Sequence, residues 1–379
     1  MTGSALTIAI LNSSTAHGGA ELASANLAHW LAERGHRCLA LGVEGSPFLR
    51  LSEARGLTCR PVDARMLPRF AAIPAAVRRA VRREGAAAVL TNGSRDLHAA
   101  AAASCVSSPF VLAHVQHMQI GRSKRDLLHR LEQRAIDAWI APLPWLARQA
   151  EALTAIPADR IRVIPHGVDL SRFTRVRPSR EEARAALALP SDAMIAGTFG
   201  RFDRGKGQEY LLRAIAALKN DGIEMHALLI GEDTHNERQG YRDVLLALAA
   251  ENGIDDRVHF RPFMADIETA YRALDVFVLT SISETYGLVT IEAMASSLPV
   301  IGTGSAGTPE IIDDGTSGIL VPPADVPALA AALRALSRDP DLRGTLGVAA
   351  GAASERFSHH RQVADVEALL RALLAKRGR

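Results

Sequence analysis

Several stretches of this 379-residue chain have the residue types and spacing to do chemistry. In SETYGLVTIEAMASSLP (283–299) two carboxylates, Glu284 and Glu292, stand eight positions apart among apolar residues. A carboxylate in such surroundings is costly unless something hydrogen-bonds to it, and vicinal sugar hydroxyls are suitable partners. The pattern predicts a buried strand at VFVLTS (276–281), a loop carrying Glu284, and a helix starting near Gly287 that carries Glu292. The first amides of that helix, at Gly287 and Leu288, have no carbonyl to bond within it and suit phosphate oxygens. The plainer alternatives are a helix-capping acid at Glu284 and an arginine salt bridge at Glu292.

A second stretch, GRFDRGKGQEYL (200–211), follows the apolar run IAGTF. Its Gly200-x4-Gly205-Lys206 imitates a phosphate-binding loop, but Gly207 stands where a Ser or Thr would hold Mg²⁺. What remains is Arg201 and Lys206 at the mouth of the next helix, suited to grip two phosphates or to serve as a solvated basic turn. Four of the 44 basic residues are lysines, so a lysine inside a glycine turn is there for its compact ammonium. A third stretch, STAHGGAE (14–21), places Gly18 and Gly19 between a strand and a helix. There the backbone can approach a ligand closely, or simply turn; the G-x-G-x-x-G spacing of a dinucleotide binder is missing.

These stretches need elements to hold them. TIAIL, CLALGV, AAVLTN, PFVLAHV and AWIAPL are short apolar runs followed by helical periodicity, and a second such series begins near Ile195. Short buried strands alternating with helices predict parallel sheets covered on both faces, hence two doubly wound α/β domains. The boundary falls near residue 170, ahead of the charged, proline-marked 169–190. Ligands of such sheets bind beyond the carboxyl ends of the strands, where all three stretches sit.

Composition narrows the class. With 48% hydrophobic and 22% charged residues the chain is neither disordered nor fibrous. Cys38, Cys59 and Cys105 have no metal-ligand spacing and their odd number argues against a disulfide framework. The N-terminal apolar run reads as a first strand rather than a signal peptide, and no membrane-spanning run is present, so a cytoplasmic protein is expected. Residues 1–172 hold 21 Lys+Arg against 13 Asp+Glu, a net of +8 that leaves −5 for the rest of a +3 chain. Part of the excess lies in 73–85 and 121–130, both expected as helices: a solvated face, or one drawn to an anionic membrane or phosphorylated acceptor. Aromatic residues are not interleaved with these runs, which disfavours nucleic acid.

Taken together, Gly200-Arg201 with Lys206-Gly207, Glu284-x7-Glu292 within GLVTIEAMASSLPVIGT, VIPHGVDLSRF (163–173), GTPEIIDDGTSGILVPPAD (307–325) and HGGAE resemble the retaining GT-B glycosyltransferases of family 4. The resemblance covers nearly the whole chain and is densest over 160–340. It implies two Rossmann-like domains with an interdomain cleft: an acceptor-side domain over 1–170, a nucleotide-sugar domain over 171–355, and a terminal helix over 356–379 packing back on the first. It also implies a hexose-type donor (a UDP-, GDP- or ADP-sugar), no cofactor, no metal, and a glycan or glycolipid acceptor in bacterial lipopolysaccharide or polysaccharide assembly. The basic surface would then contact the inner face of the cytoplasmic membrane peripherally.

Residue by residue, the resemblance gives Arg201 and Lys206 the donor diphosphate, Glu292 the ribose hydroxyls and Glu284 the transferred sugar. Gly287 and Leu288 would contact phosphate or sugar, Gly18 and Gly19 would lie near the diphosphate, and Phe263 in HFRPFMAD would face the base. A histidine belongs near the sugar. VLAHVQHM offers His114 and His117, of which His117 keeps the family-like distance to KRDLLHRLEQRAIDAWIA. His166 departs from the asparagine usual in N-G-V-D, Pro142 from a serine, and GED (231–233) from G-x-G. The rival readings are an idle nucleotide-sugar or glycan-binding subunit, a GT-B epimerase or phosphorylase, and a Rossmann oxidoreductase.

Overall fold

The computed structural model describes residues 4–16, 18–62, 69–104, 110–174, 178–233 and 240–378; His17 of HGGAE and Cys105 lie outside them. The chain divides into two compact units, Met1–Gly167 with Phe357–Arg379, and Val168–Arg356.

In the first unit, strands β1 (Thr7–Asn12), β2 (Arg37–Val43), β3 (Thr58–Val62), β4 (Ala88–Thr91), β5 (Val111–Val115), β6 (Ala138–Ala141) and β7 (Ile161–Val163) form a parallel sheet in the order β3-β2-β1-β4-β5-β6-β7. In the second, β8 (Met194–Phe199), β9 (Met225–Ile230), β10 (Val258–Arg261), β11 (Val276–Leu279), β12 (Val300–Thr303) and β13 (Ile319–Val321) run parallel in the order β10-β9-β8-β11-β12-β13. Both orders reverse once, between β1 and β4 and between β8 and β11. At such a switch point the loops leave in opposite directions and open a crevice.

The near-continuous apolar strands follow from burial on both faces. Ile8 and Ile10 of β1 join one core cluster, Ala9 and Leu11 the other, all fully buried. Alternate side chains thus feed helices on opposite faces. In the first unit the last helix, His359–Arg377, buries Val363, Val366 and Leu370 in the same cluster as Ile8 and packs on the helix Gly19–Glu33. In the second unit, Arg184 on the helix Arg180–Ala186 reaches Asp275 at 2.6 Å beside β11, both buried. No helix among the described residues is long and apolar enough to cross a membrane.

Three strands lie outside the apolar runs read from the sequence, β3, β7 and β13, each at a sheet edge; β13 is apolar but only three residues long. TCRPV and IRV carry arginine or proline where one side of the ladder is unpaired, so their patterns are diluted. The helix expected over 121–130 is corrected: it runs Leu127–Arg134, and 121–126 is a loop. Asp126 accepts from His129 N at 3.2 Å and caps the helix there. The cations before it, which a helix N-terminus disfavours, stay outside; Lys124 N donates instead to Leu153 O at 2.7 Å.

Candidate functional site

The switch point of the second sheet gathers most of the expected residues. Beyond β8 the chain makes a short 3-10 turn over Arg204–Lys206, closed by Asp203 accepting from Lys206 N at 3.2 Å. Gly207 follows with φ +65°, and a Cβ there would lie 2.4 Å from Thr280 O. Glycine alone permits both the left-handed turn and the close approach of this loop to the end of β11. Thr280 Oγ1 donates to Lys206 O at 3.0 Å and Ile282 N to Gly205 O at 2.9 Å, so the two loops are tied.

The loops bring Lys206 and Glu284 together. Lys206 Nζ donates to Glu284 Oε2 at 2.8 Å, and Ser281 Oγ donates to the same oxygen at 2.9 Å. Glu284 is buried, whereas the Lys206 side chain is 31% exposed. A buried carboxylate tolerates this position because it has a cation and a hydroxyl. Arg201 sits exposed between Gly200 and Phe202, its carbonyl held by Gln208 Nε2 at 2.8 Å and its guanidinium without a protein partner among the described residues.

Glu292 is held differently. The helix Leu288–Ala295 starts after Gly287 at φ +76°, and Glu292 lies on it partly exposed. Tyr271 Oη, from the helix Ile267–Ala273, donates to Glu292 Oε2 at 2.8 Å; Oε1 has no protein partner among the described residues. Nearby, Arg172 Nε donates to Glu268 Oε1 at 2.6 Å, and Glu268 Oε2 is buried without a hydrogen-bond partner. Burial pushes the Glu292 carboxyl up to about 7, against the Tyr271 hydrogen bond and the Arg172 charge and with the help of Glu268. Glu292 therefore takes up or loses a proton near neutrality. Phe263, just beyond β10, is 72% exposed.

The first unit places Gly18 in extended conformation as the cap of Gly19–Glu33, with Gly19 its first residue. The loop after β1 is tied down by Asp96, which accepts from Ser13 N at 3.2 Å across the switch point. His114 lies inside β5, buried, its Nδ1 2.9 Å from Thr91 Oγ1 and its ring against Trp139. His117 lies in the loop beyond β5, stacked on His166 with centroids 4.5 Å apart. Asn92 Nδ2 donates to Leu11 O at 3.1 Å, which turns its Oδ1 toward His117 Nε2, 2.8 Å away. That acceptor fixes the proton on Nε2 and leaves Nδ1 able to accept. Burial holds His117 well below the usual histidine range, with His166 and His114 adding to it. Both of those are also lowered by burial, His166 to about 4 and His114 to about 3. All three rings are neutral at pH 7.

Motif reading missed the partners. Tyr271, Ser281 and Asn92 belong to no spaced pattern, and only the sheet order brings them to Glu292, Glu284 and His117. Arg172, whose charge favours the ionised Glu292, bonds Glu268 through Nε.

Two family patterns and several known proteins resemble this chain. The sequence pattern of Glycosyltransferase Family 4 matches residues 17–172, and that of Glycosyl transferases group 1 matches 179–351. A D-inositol 3-phosphate glycosyltransferase of Saccharomonospora viridis is 39% identical over 210 residues, 54% of this chain and 48% of that protein. One of Nocardia farcinica is 37% identical over 227 residues, 59% of this chain and 49% of that protein. The chain thus spans about half the length of these curated relatives. Among solved structures, Anabaena HepE in complex with UDP shares the fold with a TM-score of 0.86 over 97% of this chain and 100% of that one, at 24% identity. Sucrose-phosphate synthase from Thermosynechococcus elongatus gives 0.80 over 98% and 100%, at 25% identity.

Proposed function

The chain belongs to the GT-B glycosyltransferases of family 4, and we propose that it moves a hexose-type sugar from a nucleotide-sugar to a glycan or glycolipid acceptor with retention of configuration. The observation that carries this reading is the pairing of Lys206 with Glu284 beside an open oxygen of Glu292, all on the carboxyl side of β8 and β11. A diphosphate arriving at this switch point competes for the Lys206 ammonium. The exchange frees Glu284 Oε2 to accept from a hydroxyl of the transferred sugar, while Glu292 Oε1 takes the ribose hydroxyls. Gly287 and Leu288 offer amides and Phe263 a face for the base.

In the reaction the bond from the anomeric carbon to the β-phosphate oxygen breaks as the acceptor oxygen bonds on the same face. The acceptor proton passes to the leaving phosphate. Arg201 and Lys206 stabilise the charge that develops there, so no metal or cofactor is required. In the first unit, neutral His117 can accept from a bound hydroxyl through Nδ1. The UDP and UDP-glucose complexes of Anabaena HepE favour a uridine donor, at the level of fold analogy.

The acceptor is anionic in this reading, which the +8 charge of residues 1–172 supports. A place in lipopolysaccharide or polysaccharide assembly, at the cytoplasmic face of the membrane, is consistent with exposed Leu127, Leu128, Leu131 and Met118 among Arg122, Arg125 and Arg130. The name shared by the curated relatives points instead to an inositol phosphate as acceptor. Incubation with UDP-, GDP- and ADP-sugars, with and without each acceptor class, tests the proposal. Acceptor-dependent release of nucleoside diphosphate with an α-linked product from an α-linked donor is expected. Epimerised sugar without an acceptor, or binding without turnover, would overturn it.

A further inference from the structure

One cluster of ligand-type side chains has no part in the reaction described above. In the first unit, His98 on the helix Ser94–Ser104 faces His129 and Glu132 on the helix Leu127–Arg134. One nitrogen of each histidine and a carboxylate oxygen of Glu132 lie within 4.8 Å of one another. The imidazole rings of His98 and His129 meet edge to face at 5.9 Å.

An ion pair and a helix cap would account for part of this arrangement. His98 Nδ1 is 2.5 Å from Glu132 Oε2, and His129 Nδ1 is 2.5 Å from Asp126 Oδ2. The first contact is unsatisfactory as a hydrogen bond, however, because His98 Nδ1 is buried and no donor–acceptor geometry is met there. The second contact has the form of the outer shell that orients metal-binding histidines. A carboxylate on one ring nitrogen fixes the tautomer and leaves the other nitrogen with its lone pair.

We propose that His98, His129 and Glu132 form a zinc site that clamps the two helices together, with Asp126 orienting His129. Two imidazoles and one carboxylate are borderline donors that suit Zn²⁺ rather than Mg²⁺ or Ca²⁺, and water fills the fourth position. Around a tetrahedral ion with bonds of roughly 2.0–2.1 Å the donors stand about 3.3 Å apart. His98 Nδ1 and Glu132 Oε2 widen from 2.5 Å and the wider separations close from within 4.8 Å, side-chain adjustments for which the 40% exposed His98 side chain has room. The site lies wholly in the first unit, on helices that carry neither His117 nor the glycines of the β1 loop.

Calorimetric titration of chelator-stripped full-length protein with ZnCl₂ tests this, with the melting temperature followed in parallel. One equivalent of zinc should bind and raise Tm, and MgCl₂ should do neither. Glu132→Gln and His98→Ala should abolish that equivalent. Asp126→Asn keeps the helix cap and should weaken binding about tenfold, as losses of such orienting carboxylates do. If a ligand variant melts at the wild-type temperature without zinc, loss of its binding is a loss of ligation. Should a variant fold poorly, cobalt(II) absorption of the wild type supplies the answer, since tetrahedral nitrogen–oxygen ligation gives intense visible bands and an octahedral surface ion does not. Zinc uptake unchanged in Glu132→Gln and His98→Ala, no uptake by the wild type, or an octahedral cobalt spectrum would overturn the proposal.

Discussion

The two sheets reverse their strand order in the same way, yet the residues beyond the reversal differ in charge. In the second unit they are two basic and two acidic side chains, Arg201, Lys206, Glu284 and Glu292, of which Lys206 and Glu284 form an ion pair. In the first unit they are glycines, a buried Asp96 and histidines kept neutral by burial. The positive excess of the first unit lies elsewhere, on helices such as Arg69–Glu84. One topology therefore carries different side chains beyond its reversal: paired opposite charges in the second unit, and glycines with neutral histidines beside one buried carboxylate in the first.

The contrast can be broken by substitution. Lys206→Ala should give the largest effect, a loss of at least ~10² in kcat, the scale for removing one group that stabilises developing negative charge. Near wild-type turnover would remove the charged role from the second unit. Glu292→Gln should raise the donor KM about tenfold with a smaller change in kcat, because it removes a charged acceptor for ground-state hydroxyls. In wild-type enzyme the pH dependence of donor affinity should follow Glu292, rising severalfold through about pH 7 as the carboxyl ionises and accepts. His117 should add no limb between about pH 6 and 8, since its ring is already neutral there. A bell-shaped profile with a histidine limb would erase the difference between the crevices.

Smaller effects sharpen it. Tyr271→Phe should raise the donor KM about fivefold and move the pH midpoint upward, because the phenol hydrogen bond favours the ionised Glu292. The same group bears on stability with a definite sign. Its folded-state pKa, about 7, lies above the ordinary 4.5, so its contribution is present in acid and lost as pH rises from about 4.5 through 7. Glu292→Gln should consequently melt higher than wild type near pH 8, with the advantage shrinking near pH 5 in a calorimetric scan.

Much of this was readable before the fold was. The apolar runs at β1, β8 and β11 predict buried parallel strands, and residues just after such strands are positioned for ligands. What no linear pattern carried was the pairing. Glu284 and Lys206 are 78 positions apart, and Glu292 and Tyr271 meet through a helix whose sequence reads as ordinary core. Edge strands β3 and β7 form no continuous apolar run because arginine and proline interrupt them. Residues 121–126 stay outside the helix because Asp126 caps it, a signal that the surrounding cations obscure.

The central claim is that the charged crevice of the second unit grips a nucleoside diphosphate through its phosphates with Lys206 and its ribose with Glu292. Calorimetric titration of UDP into wild type, Lys206→Ala, Glu292→Gln and the double variant, at one pH and salt concentration, tests it most directly. The account predicts that each single change weakens binding about tenfold or more and that the two losses add, since the residues hold separate parts of one ligand. Binding that survives either single substitution unchanged would contradict it.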